Sequence, residues 1–142
     1  MSEKYVMGSP QWLAALHACM LALRPAVTLS QDITLCEVYR NVPASIQSDN
    51  GTVAFTARFR KDSNEVDFEA REASDATVKL RWEYDAVLPV GRLVVGNDPK
   101  RAEQMMALFN SAMAAGKASI EGEMPPEMMS SPVHDMIASL TA

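Results

Sequence analysis

The chain has 142 residues, 13 Lys+Arg against 18 Asp+Glu and a formal net charge of −5. Its apolar content (48%) is too high and its net charge too low for an intrinsically disordered chain, and the length suits one domain with a sizeable core. Two cysteines, Cys19 and Cys36, are too few for a disulfide scaffold, and the net acidity argues against nucleic acid, which needs clustered Lys/Arg.

The elements follow in chain order. Ser9-Pro10 opens a helix, because serine accepts from an early free N–H and proline at the first position sacrifices no hydrogen bond. Leu13, Leu16, Met20 and Leu23 form one stripe and Pro25 ends it, so the first helix is expected over 10–24. The stretch from Trp12 to Leu23 is interrupted by His17 and falls short of the roughly 20 apolar residues a membrane span needs. Met1-Ser2-Glu3-Lys4-Tyr5 lacks a basic region followed by an apolar run. A cytoplasmic protein is expected, without membrane insertion and with both cysteines reduced as small buried hydrophobes.

Residues 33–42 read as a strand ending at Pro43, and Ser48-Asp49-Asn50-Gly51 as a turn. A two-residue period follows. Val53, Phe55, Ala57 and Phe59, then Val66, Phe68 and Ala70, then Val78, Leu80 and Trp82 alternate with polar residues. The pattern predicts three sequential antiparallel strands, a meander over 52–83 with one dry face. On its wet face Arg58, Arg60, Arg71, Lys79 and Arg81 mix with Asp67, Glu69 and Glu83, which reads as solvated cross-strand charge pairing.

Residues 85–95 read as a short helix or irregular apolar segment broken by Pro89 and Gly91. Asp98 caps and Pro99 starts a helix over 98–115, striped by Ala102, Met105, Met106, Phe109 and Met113 and stopped by Gly116. A strand over 117–124 comes next, then Pro125-Pro126, then an amphipathic helix over 127–140 with Val133, Met136, Ile137 and Leu140 on one face. The expected fold class is α+β: two layers, a mainly antiparallel sheet of about five strands covered on one face by helices.

The chemistry-bearing residues are sparse. There is no phosphate-cradling glycine loop, no Cys-x-x-Cys pair and no Gly-x-Ser-x-Gly elbow, and two histidines make no ordinary zinc site. No cofactor or metal is expected. His17 borders the first helix's stripe and reads mainly as a hydrogen-bonded border residue; a dyad with Cys36 or Glu37 has no support in spacing. His134 reads as exposed. Seven of the ten methionines, Met105, Met106, Met113, Met124, Met128, Met129 and Met136, fall late in the chain. Methionine moulds to irregular apolar surroundings, so a Met/Phe helix face opposite the dry sheet face suits either a closed core or an apolar pocket.

The runs Leu35-Cys36-Glu37-Val38-Tyr39, Asn41-Val42-Pro43, Asp85-Ala86-Val87-Leu88-Pro89 and Ala115-Gly116-Lys117-Ala118-Ser119-Ile120-Glu121-Gly122-Glu123-Met124 resemble sterol carrier protein 2-like lipid-binding domains. So do the strand opening Ser74-Asp75-Ala76-Thr77-Val78 after the hairpin, the helical segment after Tyr84-Asp85, and the closing helix with its Gly-Lys strand. The resemblance spans about residues 30–125; the first helix and the Pro125-Pro126 tail are less typical. It implies a single sterol-carrier-like domain over 1–142, a five-stranded sheet under helices, and a tunnel between the layers that takes sterols, fatty acyl chains or similar lipids without chemistry. Carried over by position, the lining would be Phe55, Phe59, Phe68, Leu80, Trp82, Met105, Phe109 and Met113. Two other readings stand beside this one. One is an enzyme of the ketosteroid isomerase or cyclase type with His17, Asp85 or Tyr39 as acid/base. The other is an accessory module with a filled core, with pairing to a second copy open to it.

Overall fold

The computed structural model describes residues 3–129 and 132–142. Strands β1 (Ile33–Arg40), β2 (Val53–Phe59), β3 (Val66–Glu69), β4 (Val78–Glu83) and β5 (Ala118–Gly122) form one sheet in the order β3-β2-β1-β4-β5. Every neighbouring pair is antiparallel except β1 and β4, which run parallel. The fold is α+β, with a mixed, mostly antiparallel sheet.

One expectation is corrected by this order. The consecutive meander is β1-β2-β3, not 52–83, and β4 leaves β3 to pair with β1. Two-residue alternation identifies a strand but carries no information about its neighbour. The burial of β1 does carry it. Ile33, Leu35, Cys36, Val38 and Tyr39 are all buried, so both faces of β1 are covered, which is the mark of a central strand. Thr77 starts β4 on β1, its N–H donating to the Thr34 carbonyl at 2.8 Å while its hydroxyl accepts from the Thr34 N–H at 3.0 Å.

The connection from β3 to β4 crosses the sheet face opposite the helices. Thr56 Oγ1 donates to the Arg71 carbonyl at 2.8 Å, Lys79 Nζ reaches Glu72 at 2.7 Å, and Arg58 grips Asp75 with two bonds of 3.0 Å. Thr56 and Lys79 are therefore buried, against the expectation of a fully wet face. The Lys79 hydrogen bond holds the Glu72 carboxyl below its ordinary range.

Helix α1 (Pro10–Leu23) starts as expected, with Ser9 Oγ accepting from the Trp12 N–H at 3.2 Å, and buries Trp12, Leu13, Leu16, Cys19 and Met20. It passes into a short tight turn over Arg24–Ala26. Residues 85–95 resolve as helix α2 (Tyr84–Arg92), which contains Pro89. Helix α3 (Pro99–Ala114) is capped by Asp98 but packs on α2 and β5 at the rim. Only Ala112 of α3 is buried; Met105 and Phe109 are half-buried, and Met106 and Met113 are exposed. The expected helix over 127–140 is instead α4 (Pro126–Met129) and α5 (Val133–Ser139), with residues 130–131 of that range outside the described residues.

The two chain ends close on each other. Tyr5 donates to the Leu140 carbonyl and Ala142 donates to the Tyr5 carbonyl, each at 2.7 Å. Trp12 Nε1–H donates to Thr141 Oγ1 at 3.0 Å, which ties α1 to the segment after α5. No helix of the described residues is long and apolar enough to cross a membrane.

Candidate functional site

The layers do not close completely. A cavity of about 290 Å³ lies between the helix-facing side of β1 and β4 and a cover made of α1, α2, α3 and α5. The sheet supplies Leu35, Glu37, Tyr39, Phe59, Leu80 and Trp82, and α1 supplies Trp12, Leu16, Met20 and Leu23. Helix α2 adds Val87, Val90 and Gly91, α3 adds Phe109, and the last segment adds Met124, Met128, Val133, His134 and Ile137. A volume near 300 Å³ is at the small end of ordinary ligand pockets.

Of the residues expected to line a pocket, Phe59, Leu80, Trp82 and Phe109 do border this cavity. Trp82 and Phe109 meet edge-to-face at 5.5 Å and fix that wall. Phe55 and Phe68 do not border it; they stack on each other at 5.4 Å inside the packed core. Met105 stays on the outer part of α3, and Met113 is exposed. The methionines at the cavity are instead Met7, Met20, Met124 and Met128. Met7 sits where it does because Gly91 has no side chain; a Cβ there would lie 2.6 Å from the Met7 sulfur. Tyr84 Oη donates to the Met7 carbonyl at 2.7 Å and holds that segment.

The candidate acid/base groups separate sharply. His17 lies outside the cavity, bonded through Nε2 to the Val66 carbonyl at 3.0 Å and stacked on Phe68 at 4.9 Å. Cys36 and Glu37 are adjacent in a strand and so point to opposite faces, which excludes a Cys36–Glu37–His17 cluster. Asp85 is exposed and faces Lys117 Nζ at 3.5 Å. His134 corrects another expectation: it is half-buried, lines the cavity and bonds through Nε2 to the Leu93 carbonyl at 2.9 Å. Both cysteines are free thiols. No group of three or more His, Cys, Asp or Glu side chains among the described residues converges as a metal site.

Glu37 is the group that composition and spacing did not single out. It occupies the centre of β1 on the helix-facing side, between Leu35 and Tyr39, where alternation calls for an apolar residue. Its side chain keeps a partial accessible surface, but that surface faces the cavity, and the carboxyl is otherwise enclosed by protein. Burial raises its pKa from 4.5 to about 7, and the Tyr39 hydroxyl, donating to Oε1 at 3.4 Å, only partly offsets this. Tyr39 in turn is pushed well above the ordinary tyrosine value, first by burial and then by Glu37.

Arg24 is the other charge at the cavity. Its guanidinium donates to the Val27 and Arg60 carbonyls at 2.6 Å each, and its Nε is buried without a partner among the described residues.

No family model matches the sequence, and no curated protein does. Solved structures do match. A conserved hypothetical protein from Thermus thermophilus, described as a possible sterol carrier protein, superposes with a TM-score of 0.58 at 12% identity, covering 100% of this chain and 96% of its own. A crystal structure of sterol carrier protein 2 superposes with a TM-score of 0.56 at 13% identity, covering 95% and 99%. The chain has the sterol carrier protein fold. At these identities the likeness is one of architecture, and it agrees with the resemblance read from the β1, α2 and β5 segments.

Proposed function

We propose that the protein binds an apolar small molecule, of the lipid, fatty acyl or sterol-like class, in the cavity between its sheet and its helices. The observation that carries the reading is the cavity itself, a space of about 290 Å³ lined mostly by Leu, Val, Met, Phe and Trp, with Arg24, Glu37, Tyr39 and His134 among them. Water gains little in such a space, whereas each buried methylene of a guest contributes about 0.8 kcal/mol before ordering costs. The fold shared with sterol carrier proteins supports it. The ligand sites in this reading are Phe59, Leu80, Trp82 and Phe109 with Met7, Met20, Met124 and Met128. Phe55, Phe68, Met105 and Met113 act as support or lie outside.

The acid/base reading draws on one observation, the Glu37 carboxyl in the cavity. Its neighbour Tyr39 donates to Glu37 and so is not available to a developing oxyanion, and Arg24 and His134 are each committed to backbone carbonyls. Binding without chemistry is the better account.

The test is uptake of a fluorescent fatty acid by the purified protein, with native mass spectrometry of the protein as isolated. Wild type should take up the probe, and Leu80→Asp and Phe109→Asp should lose it with the far-UV spectrum retained. Absence of both uptake and bound mass in wild type would overturn the reading.

A further inference from the structure

The cavity has one polar position whose bonding capacity is incomplete. Glu37 lines the cavity, and the hydrogen bond its carboxyl makes to the described residues is through Oε1, which accepts from Tyr39, so Oε2 is left to a guest. Apart from Tyr39, the sheet side of the lining is apolar: Leu35, Phe59, Leu80 and Trp82. A buried polar group left without a partner is costly, so a guest that supplies one gains beyond its apolar burial.

We propose that the Glu37 carboxyl is a recognition subsite for a carbonyl oxygen on the guest, so that the protein selects an apolar ketone or ester over the corresponding hydrocarbon. The inference rests on the binding reading above and names the ligand chemistry at that same site. With its value raised to about 7 by burial, the carboxyl carries a proton at and below neutrality. With Oε1 engaged by Tyr39, the proton rests on Oε2, which leaves one donor for a guest. Its complement is an acceptor with no hydrogen of its own. An alcohol would bring a donor into a lining that is otherwise hydrocarbon on the sheet side. Ionised Glu37 would instead face the carbonyl oxygen with negative charge, so the preference is present below about pH 7 and lost above it.

Other titratable groups face the cavity. Arg24 comes from the turn after α1, His134 from α5 and Tyr39 from β1, with Tyr84 of α2 behind Tyr39. Strands β2 and β4 and helices α1 and α3 contribute only apolar side chains to the lining. A pH effect must therefore be assigned by substitution at Glu37 and not by the profile alone.

The experiment compares methyl nonyl ketone, undecane and the matching secondary alcohol as displacers of a bound fluorescent apolar probe, at about pH 5.5 and about pH 8.5, either side of the Glu37 transition. The readout is the ratio of ketone to undecane affinity. Wild type should favour the ketone about tenfold at the lower pH, the ordinary worth of one hydrogen bond that satisfies a buried donor, and lose that advantage at the higher pH. Glu37→Gln, whose amide donates at any pH, should keep the ratio at both. Glu37→Leu should bring the ratio to about one at both. Should Glu37→Leu not fold, the Glu37→Gln comparison and the wild-type profile still decide. Equal ketone and undecane affinity in wild type at the lower pH, a ketone preference surviving in Glu37→Leu, or an alcohol preferred over the ketone would each overturn the inference and leave the binding reading standing. Failure of wild type to bind any of the three probes would overturn both.

Discussion

A carboxyl buried against a cavity wall should be visible in the pH dependence of folding, and Glu37→Gln isolates it. In the unfolded chain Glu37 releases its proton near 4.5; in the folded protein it holds it up to about 7. Between those values the folded state binds more protons than the unfolded state, so raising the pH favours unfolding. The difference of about 2.5 units, at about 1.4 kcal/mol per unit, amounts to about 3 kcal/mol of stability lost as pH rises through that window. Glutamine keeps the shape and does not titrate. Urea unfolding of wild type and Glu37→Gln across this range should give two curves that lie close together below about pH 4.5 and separate to about 3 kcal/mol above about pH 7, with the variant the more stable. Glu69, Glu72 and Asp75, whose values are lowered by arginine and lysine partners, contribute equally to both proteins and cancel. Tyr39→Phe adds a check of sign: it removes the bond that lowers the Glu37 value, so the loss should extend to higher pH. Parallel stability curves for wild type and Glu37→Gln would refute the reasoning, because they would mean that the carboxyl sees bulk water.

Three further outcomes follow from other parts of the fold. Gly122 has φ +81° and a Cβ there would lie 2.2 Å from the Thr77 carbonyl oxygen, so Gly122→Ala should cost about 2 kcal/mol or more in urea unfolding. Arg24→Leu leaves the Val27 and Arg60 carbonyls without their charged donor and should cost about 2 kcal/mol, measured the same way. Asp135 accepts from the Val95 and Gly96 N–H groups at 2.9 Å each and pins α5 over the cavity, so Asp135→Ala should speed release of a bound fluorescent fatty acid by about tenfold in stopped-flow dilution.

The local elements were legible because short-range physics fixes them. Ser9-Pro10 and Asp98-Pro99 start helices where a side chain meets the first free N–H groups, and the alternation at Val53–Phe59 marks a strand buried on one face. What was not legible depends on contacts distant in sequence. The parallel pairing of β4 with β1 requires knowing that β1 is covered on both faces, and the cover over Thr56 and Lys79 comes from a connection with no periodicity. The lining residues that periodicity missed were missed for the same reason. The α3 stripe has the right spacing to cover a sheet, yet α3 packs at the rim, so Phe109 is the α3 residue that lines the cavity. Met7 belongs to no element and gave no periodic signal. Glu37 gave a signal that could have been used: a single acidic residue among Leu35, Val38 and Tyr39 in a mostly apolar strand.

That misplaced charge and the hollow beside it account for each other. Leucine at position 37 would satisfy the alternation of β1 and close the wall. Glutamate cannot be packed dry without a partner for each oxygen, and Tyr39 serves only one of them. The cavity that Glu37 lines is where a second partner would stand. At neutral pH and above, ionised Glu37 weakens the fold by the few kcal/mol that the Glu37→Gln comparison measures. A group that weakens the fold and borders a cavity is the usual signature of a site for a guest. Its position on the central strand, hydrogen-bonded on both sides to β2 and β4, fixes the carboxyl more firmly than a loop position in the lining would.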